Sequence, residues 1–86
     1  MNRYILTCSC HNMNKRALEA FSLLFPDKVA PEIIRGRDRI AKFAQSIQND
    51  HIKAISRLSG RFAYYVTIED GKIVEEWDLL KGKRIA

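Results

Sequence analysis

Two thiols and an imidazole near the amino terminus, Cys8, Cys10 and His11, are of the kinds that bind zinc. A structural zinc site takes four ligands, usually with wider cysteine spacing, and the only other histidine is His51. We therefore predict two small cysteines packed in a strand, with no metal site and no cofactor. The Cα atoms of residues two apart on a strand lie at or beyond the limit for a disulfide. We thus expect both thiols to be free, which favours a reducing compartment.

Cys10 and Arg16 have the C-x5-R spacing that cysteine-dependent phosphatases use between a strand and a helix. In those enzymes the loop N–H groups stabilise a thiolate, and the arginine forks onto the phosphate. Here the loop has no glycine, Ala17 stands where a hydroxyl residue usually follows the arginine, and no aspartate is placed as a general acid. The sequence also has no Walker loop, Rossmann glycine pattern or Ser/His/Asp set. We therefore predict a protein that is not an enzyme.

Basic residues are the main candidates for binding, and four of them cluster in the turn and helix start around Gly36. Guanidinium groups in such a cluster can fork onto phosphates. Tyr65, on a hairpin face that we expect to be open, is predicted to stack on a base. The predicted phosphate-binding residues are Arg35, Arg37, Arg39, Lys42, Arg57, Arg61, Lys81, Lys83 and Arg84.

Charge is sorted along the chain. Residues 1–61 carry 11 basic and 5 acidic side chains, residues 62–80 carry 1 and 5, and residues 81–86 add 3 basic ones. We therefore predict a small regulatory protein that binds nucleic acid, RNA or another single strand, by electrostatic phosphate contacts. The alternative is a protein-interaction module, or a small inhibitor, that binds a protein partner through its acidic C-terminal hairpin or a sheet edge. A homodimer is a further alternative, with the positive body of one copy on the hairpin of the next.

The length of 86 residues allows one domain, which we place at residues 1–80, followed by a basic C-terminal tail, residues 81–86, expected to be mobile. A hydrophobic fraction of 47% with 29% charged residues is typical of a folded globular chain. No apolar run approaches the ~20 residues of a membrane span, and the first apolar stretch is too short for a secretory signal. We predict a cytoplasmic protein without membrane partners.

Hydrophobic spacing predicts most of the secondary structure. The first strand is nearly continuous in apolar and small residues, which is typical of a strand covered on both faces. Pro26 should end the first helix, and Asp38 should cap the second. The predicted elements are a strand over 3–10, a helix over 14–25, a weak strand over 29–34, a helix from 38 to about 48 and a short strand over 51–57.

The end of the chain predicts a β-hairpin with Asp70-Gly71 as a two-residue turn. A regular register then places Ile68 opposite Ile73 and Tyr64 opposite Trp77, on an almost wholly apolar face. On the other face, Tyr65 would lie opposite Glu76 and Glu69 opposite Lys72. The remaining predicted pairs are Phe62 with Leu79, Val66 with Glu75, Ala63 with Asp78 and Thr67 with Val74.

Together these elements predict an α+β fold in the order β-α-(β)-α-β-β-β. We expect a two-layer sandwich, with two helices packed on one face of a small sheet that ends in the hairpin. The β-α-β-α start with Arg35-Gly36 is similar to the opening of ribosome-biogenesis Brix domains, a similarity confined to those few residues.

Overall fold

The computed structural model describes residues 2–86, which form three helices and a five-stranded mixed sheet. The predicted α+β class with a C-terminal hairpin is confirmed. The weak strand lies slightly later than predicted, because Pro31 precedes it rather than interrupting it. The elements are β1 (Asn2–Thr7), α1 (Met13–Leu24), β2 (Glu32–Arg35), α2 (Arg37–Ile47), α3 (Asp50–Ile55), β3 (Ala63–Glu69), β4 (Lys72–Asp78) and β5 (Lys83–Arg84).

The sheet has the strand order β2-β1-β3-β4-β5, in which β1 and β2 are parallel and the other neighbours are antiparallel. Thr7, the last residue of β1, lies between Arg35, the last of β2, and Ala63, the first of β3. We call this side of the sheet the carboxyl edge, formed by residues 8–12, 36, 58–62 and 79–82. The opposite side, which holds the Asp70-Gly71 turn and the end of α2, is the hairpin edge.

The helices cover both faces of the sheet, so the prediction that they pack on one face is wrong. Ile5 and Tyr65 are opposite each other on one face, where the Phe21 ring of α1 lies 5.0 Å from Tyr65. Tyr4 points to the other face, where its ring lies 4.5 Å from Phe43 of α2. Helices lie on both faces because the central strands, β1 and β3, carry apolar side chains on both faces, and both sets must be shielded from water.

The core follows from this arrangement, because β1 and β3 contribute residues to both of their faces. The consecutive residues Ile5 and Leu6 are each 0% exposed, as are Tyr65 and Val66. A strand that faced solvent on one side would instead alternate buried and exposed residues. The other large side chains that are fully buried are Phe21, Met13, Ile40, Ile52 and Thr7.

Residues 51–57, predicted as a strand, are mostly helical. The Asn49 side chain caps α3 by accepting a hydrogen bond of 3.1 Å from the backbone N–H of Ile52. Ile52 and Ile55, three residues apart, are the buried residues of this helix. The prediction was wrong because the same Asn49 that ends α2 also starts the next helix.

We expect Asn49→Ala to lower the free energy of unfolding by about 1 kcal/mol, since α3 loses its N-cap. The same change removes the contact of 3.4 Å from the Asn49 Nδ2 to the Gly71 carbonyl oxygen. Urea denaturation followed by circular dichroism measures the change. Gln45→Ala, at an exposed position of α2, is the matched control and should have an effect within about 0.5 kcal/mol. Equal effects of the two substitutions would contradict the capping role.

The hairpin has the predicted Asp70-Gly71 turn, with φ angles of 53° and 74°, and the two predicted pairs beside it, Ile68–Ile73 and Glu69–Lys72. A bulge follows, because Thr67 lies opposite Glu75 and Val74 has no partner. The remaining predicted register is therefore wrong by one residue. The observed pairs are Tyr64–Asp78, Tyr65–Trp77 and Val66–Glu76.

The C-terminal segment is not a free tail in the structure. Lys83 and Arg84 form β5 on the outer side of β4. Beyond it, the Ile85 N–H donates to the Glu76 carbonyl oxygen at 2.8 Å, and the Glu76 N–H donates to the Ala86 oxygen at 2.7 Å. Across residues 2–86, none of the helices has both the length and the apolar character to cross a bilayer.

Candidate anion-binding edge

Segments from four connections meet at the carboxyl edge. The Cys8 N–H donates to the Phe62 carbonyl oxygen at 3.3 Å, which joins the loop after β1 to the segment before β3. The Gly36 N–H donates to the Thr7 carbonyl oxygen at 2.8 Å and brings the start of α2 alongside. On the other side, the Leu79 N–H donates to the Ala63 carbonyl oxygen at 2.9 Å. Residues far apart in sequence therefore form one continuous surface.

Five of the nine predicted phosphate-binding residues lie on this surface. Arg35 ends β2, and its Nη2 donates to the Ser9 carbonyl oxygen at 3.2 Å. Arg37 opens α2, and Arg61 directly precedes the Phe62 that bonds to Cys8. Lys83 lies opposite Asp78 at the end of β4, and Lys81 is in the connection before it. We call Arg35, Arg37, Arg61, Lys81 and Lys83 the basic edge.

Of the other four predicted residues, Arg39 in the first turn of α2 and Arg57 before residues 58–62 lie near the carboxyl edge, whereas Lys42 and Arg84 lie farther along α2 and β5. Arg39 and Lys42 line a groove between α2 and β2, together with Phe43. Arg57 follows α3 and directly precedes Leu58, the first residue of the 58–62 segment of the carboxyl edge. Arg84 lies opposite Trp77, and its Nε donates to the Ala86 oxygen at 3.0 Å.

Two basic residues outside the predicted phosphate-binding set also lie on this surface, one of them the Arg16 of the C-x5-R spacing. Lys15 and Arg16 are exposed in the first turn of α1, a helix that begins at the carboxyl edge. The predicted β-α order could have indicated this position, because a helix that follows a strand of a parallel pair starts at the edge of the sheet where that strand ends. Lys15 and Arg16 extend the positive surface toward the face covered by α1.

The amino termini of α1 and α2 both lie at the carboxyl edge without a side-chain cap. Asn12 occupies the N-cap position of α1 with a φ of 62° and makes no cap hydrogen bond. Asp38 was predicted to cap α2, but it is the second residue of that helix, and the N-cap is Gly36. The Gly36 φ of 97° lies where glycine is favoured. The helix dipoles therefore add positive potential to the basic edge.

The basic edge is not neutralised by ion pairs. In the described part of the chain, residues 2–86, the ion pair found is His51 with Glu76, and no member of the basic edge takes part in one. Asp38 and Asp78 lie near this edge, and the Asp78 Oδ1 accepts backbone hydrogen bonds from Leu80 and Lys81 at 3.1 and 3.2 Å. The hairpin edge carries the acidic residues Glu32, Asp50, Glu69 and Asp70, together with the basic residues Arg3 and Lys72.

Tyr65 does not contribute to this surface, and its predicted stacking role is wrong. Its side chain is 0% exposed under α1, with the Phe21 and Phe25 rings 5.0 and 5.2 Å away. The prediction failed because α1 covers the face of β3 on which Tyr65 lies, opposite Ile5. Its hydroxyl lies 3.3 Å from the Thr67 Oγ1.

Cys8 and Cys10 form a disulfide, so the prediction of two free thiols is wrong. Their Cα atoms are 5.3 Å apart, within the range for disulfides, because β1 ends at Thr7 and the chain bends after it. The inference of a reducing compartment therefore loses its premise. Within residues 2–86 there is no group of three or more His, Cys, Asp or Glu side chains placed to hold a metal.

A second polar cluster lies on the face covered by α2 and α3. Glu76 is 3% exposed, and its Oε1 is 3.2 Å from the Nδ1 of His51, which is about half exposed. Burial raises the pKa of Glu76 above its ordinary value of 4.5, His51 opposes this, and Asp78 adds to it. Burial likewise raises the pKa of Tyr64, and Asp78 and Glu76 raise it further. The hairpin therefore holds a carboxyl group that ionises less readily than an ordinary glutamate.

Comparison with known proteins finds no match to a protein-family model, a curated protein or a solved structure. The similarity of the first half of the chain to Brix domains gains no support from these comparisons.

Proposed function

We propose that this protein binds single-stranded nucleic acid through phosphate contacts along the basic edge. The observation that carries the proposal is that separate connections bring five basic side chains to one edge of the sheet, where none is ion-paired. Arginine in particular offers a planar fork that matches phosphate oxygens. Two helix amino termini at the same edge add to the attraction for anions.

The polarity of the molecule supports this proposal. The basic edge and the acidic hairpin edge lie at opposite ends of the strands, so the field of the whole molecule favours one orientation toward a polyanion. The chain would approach with the carboxyl edge leading and with Glu69 and Asp70 directed away. Of the acidic segment 62–80, Glu69 and Asp70 lie at the hairpin edge, whereas Asp78 lies opposite Lys83 at the carboxyl edge, so the sorting of charge along the sequence is kept only in part in space.

The binding should depend on phosphates rather than on base identity. Helices cover both sheet faces and Tyr65, the residue predicted to stack on a base, is buried, so the proposal rests on phosphate contacts alone. Phosphate contacts position a chain on nucleic acid but carry no sequence information. We therefore expect weak sequence preference and a strong dependence on salt.

The test is the salt dependence of binding to a fluorescently labelled oligouridylate, with oligodeoxythymidylate and a DNA duplex as comparison probes. Arg37→Gln combined with Arg61→Gln removes two basic-edge charges. We expect the slope of log affinity against log salt to become shallower by about 1.4, which is about 0.7 for each phosphate contact on a single strand.

The control is Lys53→Gln combined with Lys72→Gln, which changes net charge equally but lies outside the carboxyl edge. This variant should keep nearly the slope of the unchanged protein. If the two double variants lose affinity equally, only net charge matters and the basic edge is not the site. Tighter binding to the duplex than to either single strand would overturn the preference for single strands.

The opposed polarity of the two edges also favours one form of the alternative function, in which the partner is a second copy of this chain. The basic edge of one copy would meet the acidic hairpin edge of the next, an arrangement that is heterologous and salt-sensitive. Part of β4 is already covered by β5, which limits strand addition there. Size-exclusion mass that falls from a multimer to a monomer as salt rises would favour this alternative.

A further inference from the structure

The Cys8–Cys10 disulfide is placed where chemistry is accessible. It spans one residue, Ser9, and a bridge that closes so short a loop constrains the unfolded chain least. Cys8 is 3% exposed, whereas Cys10 is only partly buried and lies three residues before α1. A reagent from solution can therefore approach one sulfur of the pair and not the other.

The surroundings of the disulfide are cationic. The Ser9 carbonyl oxygen accepts the hydrogen bond from Arg35, and the Cys10 Sγ lies 3.6 Å from the Gly60 carbonyl oxygen, next to Arg61. The uncapped amino terminus of α1 follows the loop directly. Nearby positive charge and a helix amino terminus both lower the pKa of a cysteine thiol and stabilise its thiolate. These cationic surroundings therefore stabilise the reduced cysteines more than uncharged surroundings would.

We propose that Cys8 and Cys10 form a thiol–disulfide exchange site that reacts with small anionic thiols at Cys10. A thiolate attacks the Cys10 Sγ and forms a mixed disulfide while the bond between the two cysteine sulfurs breaks. The electron pair passes to the Cys8 Sγ, which takes up a proton. A second thiolate attacks the reagent sulfur of the mixed disulfide and releases the reagent disulfide and the Cys10 thiolate. Two reagent thiols are oxidised and one protein disulfide is reduced.

In the reverse direction the two cysteines have different roles. The Cys10 thiolate attacks a disulfide, and Cys8 resolves the resulting mixed disulfide. The probe is the disulfide of 2-mercaptoethanesulfonate, and the readout is intact mass. We expect Cys8→Ser to accumulate one mixed disulfide per chain, at least about 10-fold faster than Cys10→Ser, whose remaining thiol is buried. Equal rates for the two variants would overturn this assignment.

A second experiment tests the effect of the cationic surroundings on exchange. It uses the protein without substitutions, so it does not depend on whether either variant folds. The oxidised chain is reduced with anionic 2-mercaptoethanesulfonate or with cationic cysteamine, and an oxidised peptide of residues 7–11 corrects for the reactivity of each thiol. Relative to the peptide, we expect the anionic thiol to react about 10-fold faster than the cationic one at low salt. The ratio should approach that of the peptide at high salt.

A ratio that matches the peptide at every salt concentration would refute the role of the cationic surroundings. A disulfide that resists both thiols under native conditions would refute the exchange site itself. Neither outcome bears on nucleic-acid binding, because these experiments contain no polyanion. The two proposals therefore stand or fall separately.

Discussion

Replacing Phe21 with alanine is expected to lower the free energy of unfolding by about 3 to 5 kcal/mol. Phe21 is 0% exposed and joins α1 to the sheet, with its ring 5.1 Å from Phe25 and 5.0 Å from Tyr65. The substitution leaves a cavity among the side chains that pack between α1 and β3. A chain of this size has a total stability of about 4 to 13 kcal/mol, so a large share would be lost.

The matched control is Leu23→Ala on the same helix, where the leucine is 85% exposed. This change should shift the free energy of unfolding by no more than about 0.5 kcal/mol. Tyr65→Phe, which keeps the ring and removes the hydroxyl near Thr67, should be intermediate at about 1 kcal/mol. Urea denaturation measures all three. A loss at Leu23 as large as that at Phe21 would contradict the described position of α1.

Replacing Glu76 with glutamine is expected to raise the free energy of unfolding by about 1 to 3 kcal/mol at neutral pH, where the native chain otherwise buries a charged carboxylate. Glutamine keeps the shape and still accepts a hydrogen bond from His51. The imidazole left without its carboxylate is about half exposed, so losing the ion pair has a small effect.

The sign of the pH dependence follows from the raised pKa of Glu76. Between the ordinary carboxyl value of 4.5 and the higher native pKa, the native state binds more protons than the unfolded state. The contribution of Glu76 to stability therefore falls as pH rises through this window, and it stays low above the native pKa. Below the window both states are protonated, so the advantage of the glutamine variant should vanish there.

The measurement is the free energy of unfolding of both proteins at a series of pH values from acid to neutral. Glu69→Gln, at an exposed position of the same hairpin, is the control for the loss of one carboxylate. His51→Ala removes the group that opposes the shift in pKa, so it should deepen the loss of stability with pH. A glutamine variant that is less stable at neutral pH would show that the pair with His51 outweighs burial.

The positions of the arginines show how much of the candidate site could be predicted from the sequence. The cluster around Gly36 was predicted, and Arg35 and Arg37 lie at the carboxyl edge as separate parts of β2 and α2. Arg61 and Lys83 join them only because β3 and β5 pair in the observed order. Lys15 was not predicted, and Arg16 was considered only in the C-x5-R spacing, because what brings both to this surface is the point at which α1 begins.

The errors share a physical cause, which is that each depended on contacts between distant residues. The bulge at Val74 is not marked by any residue type, but it moves Glu76 to the face of His51 and Trp77 to the face of Phe25. The disulfide required a bend after Thr7 that an extended strand would not have. Helix α3 required Asn49 to cap it as well as to end α2.

By itself the sequence determined the class of fold, the Asp70-Gly71 turn, the amphipathic helices and the sorting of charge. These depend on neighbours a few residues apart, where the periods of helix and strand and the preferences of turns act. Tertiary structure alone decided that helices cover both faces, that Tyr65 is buried, that Cys8 and Cys10 pair, and that the basic side chains meet at one edge. Burial and charge clustering depend on which strands lie side by side, a choice made by the packing of the whole chain.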